Sequence, residues 1–185
     1  MFQSKEKIKV KVNEKKPKKK SLVGVVHIGA DHAGFYLKEA LTDYLRKLNY
    51  EVVDHGAHLY DEFDDYPDFV APVGKAVSDH PEGVKGIVIG GSGQGEAMVA
   101  NQFPGVRAVV FYGNKIFQNS DIIKLSRQHN DANVLSLGAR FLTTSEAKEA
   151  VKVWLTTVFS GEYKHIRRIK KIEKILREVR LKKNF

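Results

Sequence analysis

Five short, nearly unbroken apolar runs punctuate this chain at regular intervals, each followed by a stretch with helical spacing, and no other feature restricts the fold as much. The runs are LVGVVHIG (22–29), YEVVDHG (50–56), VKGIVIGG (84–91), RAVVFYG (107–113) and ANVLSLGA (132–139). Helical patterns are expected at 34–48, 67–79, 95–102, within 115–128 and at 144–158. A strand that alternates apolar and polar residues has one wet face, whereas a strand apolar throughout needs cover on both, which helices provide in a parallel sheet. The expected class is α/β: a single doubly wound, five-stranded parallel sheet with helices on both faces. Such sheets bind ligands just beyond the carboxyl ends of their strands, where helix N-termini offer free N–H groups.

The 185 residues suit one domain with a substantial core. No apolar run approaches the roughly 18 residues of a membrane span, and the N-terminus lacks the apolar stretch of a secretory signal, so a cytoplasmic protein without a membrane partner is expected. Cysteine is absent, which removes disulfides, thiolate metal sites and a cysteine nucleophile or base. The net charge of +9 is unevenly placed: residues 1–20 and 160–185 each carry +7, and the middle carries −5. Residues 1–20, with nine Lys and little apolar content, read as a disordered basic tail preceding a domain at 21–185. Within 160–185, Ile166, Ile169, Ile172, Ile175, Leu176 and Val179 recur at helical spacing among basic residues. That pattern predicts an amphipathic C-terminal helix packing on a partner subunit.

The residues after the runs carry the candidate chemistry. Asp31 and His32 follow the first run; Asp is a good helix cap, but an adjacent His can also donate to a sugar or phosphate oxygen. After the third run, GGSGQGE places Gly90, Gly91, Gly93 and Gly95 where backbone can approach a ligand and turn its N–H groups inward. No Lys follows the last Gly, so it is not an NTPase phosphate loop, and it stands on the wrong strand for a dinucleotide fingerprint. Glu96, in the first turn of the next helix, is either a favourable helix-start residue or a general base beside those donors, with Ser92 adding a hydroxyl. The segment SRQHND (126–131) is expected as a loop presenting His129, Asn130 and Asp131. Arg140 closes the fifth run, and Lys164, His165, Arg167 and Arg168 open the terminal helix, where several cations could converge on a phosphate.

Taken together, DHAG (31–34), DYP (65–67), GGSGQGE (90–96), AN (100–101), SRQHND (126–131) and GAR (138–140) resemble the B-type ribose-5-phosphate isomerase family, which includes the galactose-6-phosphate isomerase subunits. The resemblance runs in order over residues 22–170. It implies a homodimer or tetramer with active sites shared between subunits, no metal and no organic cofactor. It also implies interconversion of ribose 5-phosphate and ribulose 5-phosphate through an enediolate. By position, Glu96 would be the base, as in the family's Glu branch; the other branch has a Cys where this chain has Gly90. Ser92 with Gly91, Gly93, Gln94 and Gly95 would hold the enediolate, His129 would assist ring opening, and Asn130 would bind a sugar hydroxyl. Asp31, His32 and Tyr66 would line the cleft, with His32, Arg140, Lys164 and Arg168 on the phosphate. Three features depart from the family: Lys164 stands in place of Arg, the stretch 112–124 is longer, and the basic tail has no counterpart. The alternatives are isomerisation of a hexose or tetrose phosphate, weak nucleic-acid contact through residues 1–20, and a regulatory subunit without activity. The presence of Asp31, His32, Glu96 and His129 disfavours the last.

Overall fold

Each apolar run forms a strand: β1 (Val25–Ala30), β2 (Glu51–Asp54), β3 (Val84–Gly90), β4 (Ala108–Phe111) and β5 (Val134–Gly138). The computed structural model describes residues 21–113 and 121–181. The expected basic tail at 1–20, most of the distinctive stretch 112–124 and the start of the helix sought within 115–128 therefore lie outside the described residues. The helices are α1 (Phe35–Lys47), α2 (Tyr66–Asp79), α3 (Gln94–Ala100), α4 (Asp121–Asn130), α5 (Thr144–Thr156) and α6 (Tyr163–Leu181). Among the described residues no helix is long and apolar enough to cross a membrane.

All pairings are parallel, in the order β2-β1-β3-β5-β4. Buried residues on both faces explain why the runs do not alternate. Val26, Ile28, Ile87, Ile89, Leu135 and Leu137 meet Leu41, Leu45, Val151 and Trp154 of α1 and α5 on one side. Val88 and Val134 meet Val70, Val73 and Val77 of α2 and Ala100 of α3 on the other. Strand order reverses between β1 and β3: β2 lies beyond β1, and the rest of the sheet lies beyond β3. That switch opens a crevice between the carboxyl ends of β1 and β3, the usual ligand position in open α/β sheets.

Two local readings change. The second run yields only four strand residues, because Asp54 Oδ1 accepts the Gly56 N–H at 2.9 Å and Gly56 turns at φ 101°. SRQHND is not a loop: α4 continues through Asn130, and only Asp131, at φ 45°, lies outside it. Asp tolerates that left-handed conformation better than most residues. Arg127 and Arg107 fix it there, donating to its two carboxylate oxygens at 2.7 Å each. Arg107 Nε also donates to the carbonyls of Asn130 and Asp131, at 3.0 and 2.9 Å. The terminal helix is present over 19 residues, with Ile172, Ile175 and Val179 exposed.

Candidate active site

The crevice is a cleft of about 350 Å³ lined by Asp31, His32 and Ala33 after β1, Tyr66 opening α2, Gly91, Ser92, Gly95 and Glu96 after β3, and Arg140 and Phe141 after β5. It is large enough for a small ligand and well supplied with polar groups. Eight of the sequence-predicted residues thus come together: Asp31, His32, Tyr66, Gly91, Ser92, Gly95, Glu96 and Arg140.

The glycine loop puts Glu96 into this cleft. Gly93, at φ 76°, is the residue before α3 and turns the chain from β3 into the helix. Its carbonyl accepts the buried Ser136 hydroxyl of β5 at 2.6 Å, which pins the loop to the sheet. Ser92 Oγ accepts the Gln94 N–H at 3.3 Å, and Gln94 itself points to solvent. Glu96 then folds back over the end of β3 and is only 4% exposed. A Cβ on Gly90 would collide with its Oε1 and Cδ, so the carboxylate occupies the space that a side chain at position 90 would fill. Burial, and to a lesser extent the charge of Asp31, push the Glu96 carboxyl above the usual glutamate range. Asp31 is 7% exposed and is also raised, chiefly by burial, although the Gly34 N–H donates to its Oδ1 at 3.2 Å.

His32 has a partner that the sequence reading missed. Asp64, in the loop between β2 and α2, accepts the His32 backbone N–H at 2.9 Å and its Nδ1–H at 2.7 Å, both on Oδ1. That hydrogen bond, with the nearby charges of Asp31 and Asp64, raises the His32 pKa. Ligand-capable atoms of Asp31, His32 and Asp64 lie within 4.8 Å of one another. The short His32–Asp64 bond accounts for that spacing and already takes up the imidazole nitrogen and one carboxylate oxygen. No sequence period marks Asp64; the only signal is a fold-back acid run, DEFDD (61–65).

The remaining predicted residues are elsewhere. Because α4 runs antiparallel to the strands, His129 and Asn130 at its end lie beside the amino end of β5, while the cleft lies at the carboxyl end. A five-residue strand spans about 16 Å. Lys164 and Arg168 travel with them on α6: His165, 2% exposed, stacks on His129 with ring centroids 4.2 Å apart and planes 10° apart. Lys164 pairs with Glu162 at 2.8 Å. The residues expected in one site therefore lie at two opposite ends of the sheet.

The fold and cleft define the class: a doubly wound α/β protein with a buried carboxylate and a glycine-rich loop at the topological switch point. A family model described as ribose/galactose isomerase matches residues 26–172. Ribose-5-phosphate isomerase B of Mycobacterium tuberculosis is 39% identical over 145 residues, covering 78% of this chain and 85% of that protein. The probable ribose-5-phosphate isomerase B of Mycoplasma genitalium is 39% identical over 147 residues, 80% of this chain and 92% of that one. The crystal structure of the M. genitalium enzyme with bound ribulose-5-phosphate superposes with a TM-score of 0.78 at 36% identity, covering 85% of this chain and 99% of that one. The Clostridium thermocellum ribose-5-phosphate isomerase B gives 0.76 at 41% identity, covering 84% and 99%. The chain belongs to the ribose/galactose isomerase family, and its five-stranded parallel sheet is the architecture expected from the apolar runs.

Proposed function

We propose that the protein interconverts ribose 5-phosphate and ribulose 5-phosphate, with Glu96 moving the proton between carbons 1 and 2. The carrying observation is the placement of the Glu96 carboxyl: buried, raised in pKa, and held over Gly90 at the mouth of the glycine loop. A carboxylate with a raised pKa is a stronger base at neutral pH, and N–H donors beside it offset the negative charge that develops on the enediolate oxygens. Gly91 to Gly95 and the Ser92 hydroxyl supply those donors in this reading, while Asp31 and Tyr66 contact the sugar. His32 and Arg140 begin the phosphate site. Family membership and the M. genitalium complex with ribulose-5-phosphate support this choice of substrate.

The reading requires a second copy of the chain. His129, Asn130, Lys164 and Arg168 sit at the far end of the sheet, and a dimer in which that end faces the partner's cleft would complete both sites. His129 then assists ring opening, Asn130 binds a sugar hydroxyl, and Lys164 and Arg168 close on the phosphate. A panel of pentose, hexose and tetrose phosphates, assayed with wild type and Glu96→Gln side by side, tests reaction and base together. Pentose phosphate should be turned over fastest, and Glu96→Gln should lose about 10² to 10⁴ in kcat, the span of general-base catalysis, with KM little changed. Near-normal turnover in that variant rules out Glu96 as the base.

A further inference from the structure

The loop between β2 and α2 is tied to the end of β1 at several points. Ala57 N–H donates to the Ala30 carbonyl at 2.6 Å, and Ala30 N–H to the Gly56 carbonyl at 2.8 Å. Asp54, whose Oδ1 holds Gly56, receives the fully buried Lys38 ammonium on Oδ2 at 2.6 Å. Asp61 stiffens the far side, accepting the Phe63 N–H on Oδ1 at 3.0 Å and the Asp64 N–H on its carbonyl at 3.2 Å. Asp64 is thereby presented to His32 with its side chain 8% exposed, and Tyr60 closes edge-on against the imidazole at 6.4 Å.

We infer that Asp64 is a positioning residue for the reaction: it holds the His32 ring with Nδ1 inward and keeps Nε2 protonated, so that Nε2–H is available to donate to the phosphate of the substrate. This rests on His32 meeting that phosphate, as read above. Two donors of one residue converging on a single carboxylate oxygen fix both the backbone and the ring of His32. An ionised carboxylate only accepts, so Nδ1 carries a proton, and Nε2 is the nitrogen left for a ligand. Charge decides whether that arrangement is useful. A neutral ring protonated at Nδ1 would offer an Nε2 lone pair to phosphate oxygens, acceptor against acceptor, whereas the imidazolium donates. The groups facing His32 are Asp64 and Asp31, which favour the cation, and Arg140, which with burial opposes it; the balance is a raised pKa. Asp64 makes the largest contribution and acts without touching the substrate.

Asp64→Asn separates charge from shape, because the amide oxygen can accept the same two N–H groups. In wild type, KM for ribose 5-phosphate should stay low as pH rises past the ordinary histidine range and then climb as His32 loses its proton. In Asp64→Asn that climb should begin at lower pH, towards the unperturbed value of about 6.5, giving a several-fold higher KM at pH 7.5 with kcat at saturating substrate unchanged. Comparing the variant with wild type at each pH cancels the titration of the substrate's own phosphate. An unchanged KM profile with only a lower melting temperature would make Asp64 structural and overturn the proposal. NMR titration of the His32 ring, run on both proteins, keeps this result apart from the reading beneath it. If His32→Asn leaves KM unaltered, the phosphate role of His32 falls, while the His32 pKa still reports on Asp64. A His32 pKa that does not drop in Asp64→Asn sinks the inference whatever the kinetics show.

Discussion

Adding a single methyl group at Gly90 should disable the protein more than its size suggests. Gly90 ends β3 opposite Gly138, and an Ala Cβ there would overlap Oε1 and Cδ of Glu96 and come within 2.9 Å of Oε2. The obstacle is the end of a side chain rather than backbone, so the fold can relieve it by rotating Glu96 off the end of the strand. Overpacking that relaxes in this way should cost at the low end of the usual ~1–3 kcal/mol. The chemical cost is larger. A displaced Glu96 loses both its geometry and the burial that raises its pKa, and losing a positioned base costs about 10² to 10⁴ in rate. At 1.36 kcal/mol per tenfold, that is roughly 3–5 kcal/mol of barrier. Steady-state kinetics of Gly90→Ala, Glu96→Gln and the double variant on ribose 5-phosphate, with melting curves for each, provide the assay. The double variant should be no slower than Glu96→Gln alone, because both changes remove one catalytic function. If Gly90→Ala keeps kcat within a few-fold of wild type, or if the two losses multiply, the placement of the base over Gly90 is not what drives the reaction.

The proposed sharing of sites between subunits predicts complementation: Glu96→Gln and His129→Ala should each be inactive alone, but co-refolded at equal amounts they should regain about one quarter of wild-type activity, because half the dimers would be mixed and each mixed dimer would hold one intact site. Recovery no greater than the sum of the separate proteins, with mixed dimers confirmed by mass, refutes sharing. A second prediction concerns His27 and His55, which stack and share a hydrogen bond of 2.7 Å. Burial depresses both, aided by His55 at His27 and by His58 at His55, while Glu51 and Asp54 oppose. A depressed histidine favours the neutral folded form, so the folded state binds fewer protons than the unfolded one. Stability should therefore be full above about pH 6.5 and fall as pH drops through the depressed values. Urea midpoints at pH 7.5 and 5.5 should differ less in a His27→Gln/His55→Gln variant than in wild type; equal differences refute the assignment.

What the sequence revealed and what it hid follow from the range of the interactions. Burial on both faces of a strand is a local demand on residues 25–30, 84–90 and 134–138, so the runs announced the parallel sheet, and the sheet's switch point then located Asp31 and the loop at 90–96. Glu96 was legible because its place follows directly from a strand end and a helix start. Asp64 was not, because DEFDD offers four carboxyl groups with no period, and which one folds back onto His32 depends on the Lys38–Asp54 anchor and the ties to Ala30 and Gly56. Ser136 was hidden for a similar reason: within VLSLG it reads as a tolerated polar residue, and only the fold shows its hydroxyl holding Gly93. The composition of SRQHND favours a turn, and nothing local shows that Arg107, about twenty residues upstream, clamps Asp131 and lets α4 run to Asn130.

Charge gives a reason for the site proposed above to divide between two ends of the sheet. The chain's own cleft gathers Glu96 and Asp31, with Asp64 behind His32, against the exposed Arg140 and a His32 whose pKa is raised. Burial, helped by the charge of Asp31, raises the Glu96 pKa, which in the proposed mechanism makes it a stronger base. The phosphate needs the opposite environment, which Lys164 and Arg168 offer at the start of α6. If α6 folded over its own cleft, those cations would stand permanently near Glu96, stabilise its ionised form and weaken it as a base. In the proposed dimer a second copy of the chain supplies them instead, so that they meet the phosphate at one end of an extended sugar while the glycine loop and Glu96 act at the other. In that arrangement the length of the substrate separates the base at one end from most of the positive charge at the other.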